Sequence, residues 1–294
     1  VVGHEVLIIG AGPAGIAAAI QLKRYNIEPL LLEKEEIGGL LRNAHLVENY
    51  PGFPKGISGI ALVELFQKQL KNAGVGVSFE TVLELDYRDG AFYIKTDNRE
   101  IEAITVVIAT GTKPRKLTNV KIADDIQGRI FYDIHSILDS KKKNIAIIGA
   151  GDAAFDYALN LSRKNKVIII NRSIDIKCLP LLWERSMKSE SIIYMNNMTV
   201  KEIHKKDKHA LITCIDNESS EEKQIEADYV IAAIGREPRL DFLTDLFKKN
   251  LETLTKMNKL YMVGDVRNGL YRQTAIAVGD GIRAAMEIYR NRRG

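Results

Sequence analysis

The strongest constraint in this sequence is a device written twice: an apolar run ending in glycine, a second glycine two positions on, and then a stretch of helix formers. EVLIIG at 5–10 passes straight into GAGPAG at 10–15, IAAAIQLKRY follows, and the next apolar run, IEPLLLE, closes on Glu33. Strand, glycine turn, helix, strand and acid in that order admit few folds. In a parallel βαβ unit the first glycine makes the tight turn, the second lets backbone approach a pyrophosphate, and the third lets helix pack on strand. The unpaired N–H groups of the helix start face the phosphates. Gly10, Gly12, Pro13, Ala14 and Gly15 therefore read as a dinucleotide cradle, with Glu33 placed to accept from a ribose hydroxyl; the alternative is a glycine turn without a ligand.

The second copy starts at NIAIIG, 144–149, which leads into GAGDAA at 149–154, FDYALNLSRK and the strand KVIIINR. Gly149 and Gly151 keep the cradle, with Asp152 and Ala153 at the helix start. Ala154 replaces the third glycine and widens the helix–strand contact slightly. The unit closes on Asn171 and Arg172 instead of an acid. No carboxylate selects an unphosphorylated ribose, whereas Arg172 can pair with a 2′-phosphate. The reading is a site for NADP or NAD, with NADP favoured, against a fold whose pocket is empty. VVIATG at 106–111 and YVIAAIG at 229–235 end extended runs in small-residue turns and mark the passages between domains. VSFETVLELDYRDGAFYIKT and MTVKEIHKKDKHALITCID read as irregular antiparallel regions, so the two halves form an internal repeat.

The end of the chain adds an acid and a helix. LYMVGDVRNG at 260–269 carries Asp265 in a strand-end turn, where it serves a ribityl hydroxyl or caps a helix. TAIAVGDGIRAAMEIYR reads as a helix burying Ile276, Val278, Ile282, Ala285, Met286 and Tyr289. Gly279 and Gly281 cost that helix stability, which makes sense if a cofactor lies against its backbone. The polar segment 241–259 is expected to link back to the first domain.

Composition excludes several classes. A chain of 294 residues suits two domains, and 46% hydrophobic with 27% charged residues is ordinary globular composition. A net charge of +4 without a continuous basic stripe argues against nucleic acid. No run reaches the roughly 18 apolar residues of a membrane span. VVGHEVLIIG lacks the marks of a secretory signal, so the expected compartment is the cytoplasm. Cys178 and Cys214 form no CxxC, no disulfide framework and no metal cluster.

On these residues the whole chain resembles the low-molecular-weight thioredoxin reductase family. GAGPAG with Glu33, IGGLL at 37–41, VENYPGFP at 47–54, GISG at 56–59, ATGTKPR at 109–115, the second fingerprint and GDVRNGLYRQTAIAVGDGIRAA at 264–285 carry the resemblance. It implies an α/β fold of two Rossmann-like dinucleotide-binding domains of the three-layer ββα type, the second inserted in the first. Residues 1–113 with 241–294 would bind FAD, and 114–240 the pyridine nucleotide. Glu33 would meet the adenosine ribose, and Gly39, Leu40 and Asn49 would approach the ribityl and isoalloxazine portions. Ala109, Thr110 and Gly111 would line the adenine side, Gly264 and Asp265 the ribityl chain, and Arg272, Gln273 and Thr274 the flavin ring. Lys34 and Val82 join this set, Gly235 completes the return strand of the nicotinamide half, and a homodimer is implied.

Family members that reduce thioredoxin carry a CxxC pair before the second fingerprint. Counted back from Gly149, those positions are Tyr132 and His135, in FYDIHSILD at 131–139. Disulfide exchange needs a thiolate, which this segment lacks. His135 reads either as a proton donor near the flavin or as a histidine satisfied by Asp133, and Tyr132 as a ring covering the flavin; no catalytic residue is assigned. NRSIDIK at 171–177 keeps Arg172, but Asn171, Ser173 and Lys177 stand where the family has a histidine and further arginines, which weakens a 2′-phosphate grip. The expectation is an FAD-dependent NAD(P)H oxidoreductase that passes electrons to ferredoxin, flavodoxin or a small-molecule acceptor, most nearly ferredoxin–NADP reductase-like. KKK at 141–143 and KK at 205–206 offer basic surface to an acidic carrier. The rival readings are an NAD(P)H oxidase or diaphorase, and an FAD-binding regulatory protein without turnover.

Overall fold

A computed structural model describes residues 2–293; Val1 and Gly294, the outer ends of the expected first domain, lie outside the described residues. The chain groups into two units. One holds the chain up to Arg42, Leu46–Lys113 and everything from Glu237 onward; the other holds Asn43–His45 and Pro114–Arg236.

The first unit begins with β1 (Val2–Ile9), α1 (Pro13–Arg24) and β2 (Pro29–Glu33), followed by α2 (Gly59–Asn72), β3 (Val77–Phe79), β4 (Val82–Arg88), β5 (Ala91–Thr96) and β6 (Glu100–Ile108). Its sheet has the order β3-β2-β1-β6-β5-β4. The first four of these are parallel, and β4, β5 and β6 form an antiparallel meander. Val6, Leu7 and Ile8 of β1 and Val106, Val107 and Ile108 of β6 are all fully buried. Strands covered on both faces need no polar alternation, which is why the sequence shows plain apolar runs there. Asp89 and Gly90, both at positive φ, supply the tight reversal between β4 and β5. The chain leaves through β7 (Thr112–Pro114).

The second unit holds β8 (Lys121–Ile122), β9 (Ile130–Phe131), β10 (Asn144–Ile148), α3 (Asp152–Leu161), β11 (Lys166–Ile170), α4 (Pro180–Met187), β12 (Ile192–Met195), β13 (Met198–Lys206), β14 (His209–Asp216), β15 (Glu222–Ala227) and β16 (Tyr229–Ala232). A parallel sheet of order β12-β11-β10-β16-β9 is covered by helices on one face and by the sheet β15-β14-β13-β8 on the other. Side-chain alternation along β10 shows the layering. Ile145 and Ile147 pack with Phe155 and Leu161 of α3, whereas Ala146 and Ile148 pack with Ile203, Ile212 and Cys214 of the second sheet. This is the three-layer arrangement that gives each half one helical and one β-meander face.

The chain returns through β17 (Arg236–Pro238), which pairs with β7 as a two-stranded ribbon, and ends in α5 (Asp245–Lys256), β18 (Leu260–Met262) and α6 (Thr274–Arg293). The polar 241–259 segment is thus largely a helix. Thr244 caps it, its hydroxyl accepting the Phe247 N–H at 3.1 Å. Phe247 and Leu254 are buried against the first unit's core.

Helix α6 forms as expected but buries a different face. Ala277, Gly281, Ala284, Ala285 and Ile288 are buried, whereas Ile276, Ile282 and Met286 are exposed. The cause is α1. A Cβ at Gly281 would stand 2.1 Å from the Ala14 carbonyl oxygen and 3.0 Å from the Ala18 nitrogen. Two small-residue faces have come together, so the backbone that Gly281 admits is that of another helix and not a cofactor. Gly279 meets nothing within 4 Å.

Candidate functional site

The first glycine turn is built by contacts that no single residue explains. Gly10 has φ +106°, and a Cβ on it would lie 2.6 Å from the Ala109 oxygen at the end of β6. A Cβ on Gly15 would lie 1.9 Å from the Gly10 oxygen. Both positions exclude any side chain. Gly12 differs, for a Cβ there would meet nothing within 4 Å. It is the N-cap of α1 without a side-chain cap, and Pro13 follows at the first helical position. The N–H groups of Ala14 and Gly15 lie in the first turn, where no intrahelical acceptor exists, and the open face of Gly12 leaves room for a ligand oxygen to reach them.

Other predicted residues gather on this turn. Glu33, at the end of β2, accepts the Ala11 N–H on Oε2 at 2.8 Å and the Glu35 N–H on Oε1 at 3.0 Å. The Gly38 N–H donates to the Ala11 carbonyl, and a Cβ on Gly39 would lie 3.6 Å from the Gly12 Cα. This folds the Gly39–Asn43 turn, with half-buried Leu40, over the glycines. From the far end of the chain Gly264 arrives at φ +74°, where a Cβ would stand 2.9 Å from the Ala14 Cβ. Asp265 follows it in a short turn, Gly264–Val266. Asn49 and Gln273 also meet, the Asn49 amide donating to Gln273 Oε1 at 2.7 Å. Arg272 is half-buried beside them in sequence, and Thr274 begins α6.

The remaining residues make other contacts, although the Thr110 Cα also borders this turn, 3.3 Å from where a Cβ on Gly10 would stand. Lys34 is exposed and pairs with Glu35. Val82 starts β4 opposite Thr96 and packs against the sheet core. Thr110 spends its hydroxyl on the Arg239 carbonyl at 2.7 Å, and the Gly111 carbonyl accepts the Arg239 N–H, so these two tie down the returning chain. One residue went unnoticed in the sequence. Asp280, on α6, accepts on one oxygen both the Gly264 N–H at 3.1 Å and the Asn268 amide at 2.6 Å, and so holds the Asp265 turn in place. An acid inside a helix gives no local sign of such a partner.

The second turn repeats the first. Gly149 has φ +117°, with its Cβ position 2.3 Å from the Ala233 oxygen; Gly151 faces open space and caps α3 without a side chain. Ala153 is exposed in the first turn. Asp152 is exposed and accepts the Leu179 N–H on Oδ1 at 2.8 Å, closing the 172–179 loop, and Lys177 pairs with Gly151 through a single β-bridge. Arg172 is exposed at the end of β11. Gly235 has φ +107°, and its carbonyl accepts the Arg115 N–H where the chain crosses between units.

Residues 4–281 match the family described as pyridine nucleotide-disulphide oxidoreductase. The chain belongs to that family. The Bacillus subtilis thioredoxin reductase is 32% identical over 97% of this chain and 93% of its own length. The solved thioredoxin reductase of T. acidophilum superposes with a TM-score of 0.88 at 30% identity, covering 99% of each chain. A Staphylococcus aureus bacillithiol disulfide reductase shares the fold, TM-score 0.76, at 23% identity. FAD and a pyridine nucleotide, the cofactors expected from the sequence, are those of this thioredoxin reductase-like flavoprotein family. Both turns fit the pyrophosphates of such cofactors, since each leaves a glycine-sized opening at an uncapped helix start.

Two sequence features show what this oxidoreductase lacks. Tyr132 and His135 stand on the short path from β9 into a 3₁₀ turn at His135–Ile137; the His135 N–H donates to Asp133 Oδ1 at 3.1 Å, and the His135 side chain is exposed. The cysteines lie elsewhere and are both free. Burial pushes the Cys214 thiol up to about 11, and burial, with the Asp152 carboxylate, raises Cys178. Lys141–Lys143 lie just before β10, at the end of that strand opposite Gly149, and Lys206 is paired with Glu226 at 2.6 Å. Neither basic run borders the nucleotide turn of its own unit. Among the described residues no helix is long and apolar enough to cross a membrane, and no cluster could hold a metal ion.

Proposed function

We propose that the protein uses NADPH or NADH to reduce bound FAD and delivers the electrons to an external acceptor, in the manner of a ferredoxin–NADP reductase, without a protein disulfide as intermediate. The observation that carries this reading is the identity of Tyr132 and His135, where family members that reduce thioredoxin carry their cysteine pair. The raised thiols of Cys178 and Cys214 support it, because an un-ionised thiol is a poor nucleophile.

In this reading the residues of the chain bind and orient. The N–H groups after Gly12 hold the FAD pyrophosphate, Glu33 accepts from the adenosine ribose, and Asp265, braced by Asp280, accepts from the ribityl chain. Asn49 and Gln273, already bonded to each other, orient one another beside the ring. The N–H groups after Gly151 hold the pyridine nucleotide. FAD when bound supplies the chemistry, accepting a hydride and releasing its electrons one or two at a time. No protein acid is required for the hydride step, only alignment.

A homodimer belongs to the same proposal. Leu270 and Tyr271 are 95% and 78% exposed, and Ile276, Ile282 and Met286 continue the apolar surface along α6.

The test is anaerobic rapid mixing of the FAD-loaded protein with NADPH and with NADH, followed by a panel of ferredoxin, flavodoxin, a quinone and oxidised thioredoxin. Rapid loss of the oxidised flavin absorbance and turnover with a one-electron carrier are expected. An oxidised spectrum unchanged by both nucleotides rejects the enzyme in favour of a regulatory flavoprotein, and efficient thioredoxin reduction rejects the acceptor assignment.

A further inference from the structure

The two dinucleotide units differ at one corresponding place. Glu33 ends the second strand of its unit and Asn171 directly follows that of the other, and each accepts the N–H two residues on: Glu35 on Glu33 Oε1 at 3.0 Å, Ser173 on Asn171 Oδ1 at 3.2 Å. Beyond that they part. Glu33 turns its other oxygen toward the glycine turn, to the Ala11 N–H. Asn171 spends its amide nitrogen on other groups, donating to the Asp175 carbonyl and to the Tyr194 hydroxyl, both at 2.9 Å. Its side chain is buried and both amide hydrogens are committed. Asn171 therefore carries neither the charge nor the second oxygen that Glu33 brings to its own turn.

Asn171 instead fixes a loop. Its own backbone is held on both sides, its N–H donating to the Met195 carbonyl and its carbonyl accepting the Met198 N–H, each at 2.8 Å. The Arg172 carbonyl accepts the Asn217 amide at 2.9 Å, the Ser173 carbonyl accepts the Asn197 N–H, and the Asp175 N–H donates to the Ser173 hydroxyl. Tyr194 is anchored in turn, its ring edge-on to Trp183 at 4.9 Å and tilted against Phe155. A chain of polar and aromatic contacts thus runs from the core of the second unit to the loop that carries Arg172.

We infer that Asn171 is a positioning residue for the adenosine end of the pyridine nucleotide: by pinning residues 172–176 it presents Arg172 as a fixed charge to the ribose 2′ position, so that a 2′-phosphate is read where the first unit reads a hydroxyl. The inference rests on the assignment of the second glycine turn to the pyridine nucleotide. The charged side chains of the loop are Arg172, Asp175 and Lys177, all exposed. With Asp175 anchored through its carbonyl, Arg172 and Asp175 hold separate places. Once the loop is released, two opposite charges three residues apart neutralise each other, and the positive charge available to a phosphate falls. A guanidinium held in place also loses less freedom on binding than a mobile one.

The experiment titrates the FAD-loaded protein calorimetrically with adenosine 2′,5′-bisphosphate and with 5′-AMP, in the wild type, Asn171→Ala and Tyr194→Phe. Tyr194→Phe removes one hydroxyl from a ring that stays packed, and it serves where Asn171→Ala folds poorly. The wild type should prefer the bisphosphate. Asn171→Ala should lose about tenfold of that affinity, the scale of one charge-assisted hydrogen bond, with 5′-AMP unchanged. Tyr194→Phe should shift the same way by less, and in both variants KM for NADPH should rise while kcat stays. An unchanged ratio of the two affinities in both variants overturns the inference alone. A wild type that binds neither fragment overturns the nucleotide assignment together with it.

Discussion

Asp156, on α3 and part-buried, is a carboxylate the binding scheme does not use. Enclosure raises its pKa to about 6; the His45 N–H, donating to Oδ2 at 3.3 Å, works against this, and the nearby Asp152 carboxylate adds to it. The folded protein therefore holds this proton more tightly than the unfolded chain does. The cost of ionising it grows as pH rises from the ordinary carboxylate range through about 6, then stays constant, at roughly 3 kcal/mol or less. Asp156→Asn keeps an oxygen for the His45 N–H and removes the charge. With FAD in excess, the variant should melt above the wild type near neutral pH, and the two should converge in acid. Parallel melting curves at every pH would show that the group carries no such cost. Residues of this kind mark the limit of reading a sequence locally. The steric demand on Gly15 was legible because Gly10, five residues earlier, imposes it; Ala109 imposes the one on Gly10, which was legible only through the glycine spacing of the whole strand–turn–helix unit. The inward turn of Asn171, the commitment of Asp152 to Leu179 and the bracing role of Asp280 depend on partners from other segments, which no local pattern announces.

At the scale of elements, α1 and α6 show why a correct helix can carry a wrong face. The apolar spacing of α6 pointed to Ile282 and Met286 as its buried side, but α1 offers a surface of Ala14, Gly15, Ala17 and Ala18, and a close helix pair selects small residues on the partner. Helix propensity and packing make opposite predictions for Gly281→Ala. Propensity alone promises a gain of up to about 1 kcal/mol. Packing predicts a net loss of about 1–3 kcal/mol, because a methyl 2.1 Å from the Ala14 oxygen must push α1 aside. Since α1 begins at the first glycine turn, FAD retention should fall as well. Denaturant titration of the variant, with the flavin content measured alongside, settles the sign; a stabilised variant with full flavin would mean the two helices are not held at this spacing. Helix α5 teaches the reverse. Its stripe of Phe247, Leu251 and Leu254, which Leu243 just before the cap extends, is narrow and surrounded by charges, so the segment reads as linker until the core it covers is seen.

For the whole molecule, duplication was the most legible feature, because each copy contains its own strand, turn and helix within a short span. The pairing of Gly10 with Ala109 and of Gly149 with Ala233 shows how the copies work alike: each fingerprint turn is wedged against the turn that ends the return strand of its own unit. Assembly beyond one chain was legible only through resemblance, and the structure supplies a surface on which to test it. On α6, Ala275, Gly279, Ile282 and Met286 fall at spacings of four, three and four residues along the face opposite α1, all exposed. Leu270 and Tyr271 precede them. If this face joins two copies, a twofold arrangement buries the same residues on both, so one charge placed there is introduced twice. Ile282→Glu should therefore convert the protein from a dimer to a monomer by light scattering while retaining bound FAD, because Ile282 lies on the side of α6 turned away from the glycine turn. A variant with the mass of the wild type would place the contact elsewhere, and a wild type with the mass of one chain would exclude the dimer.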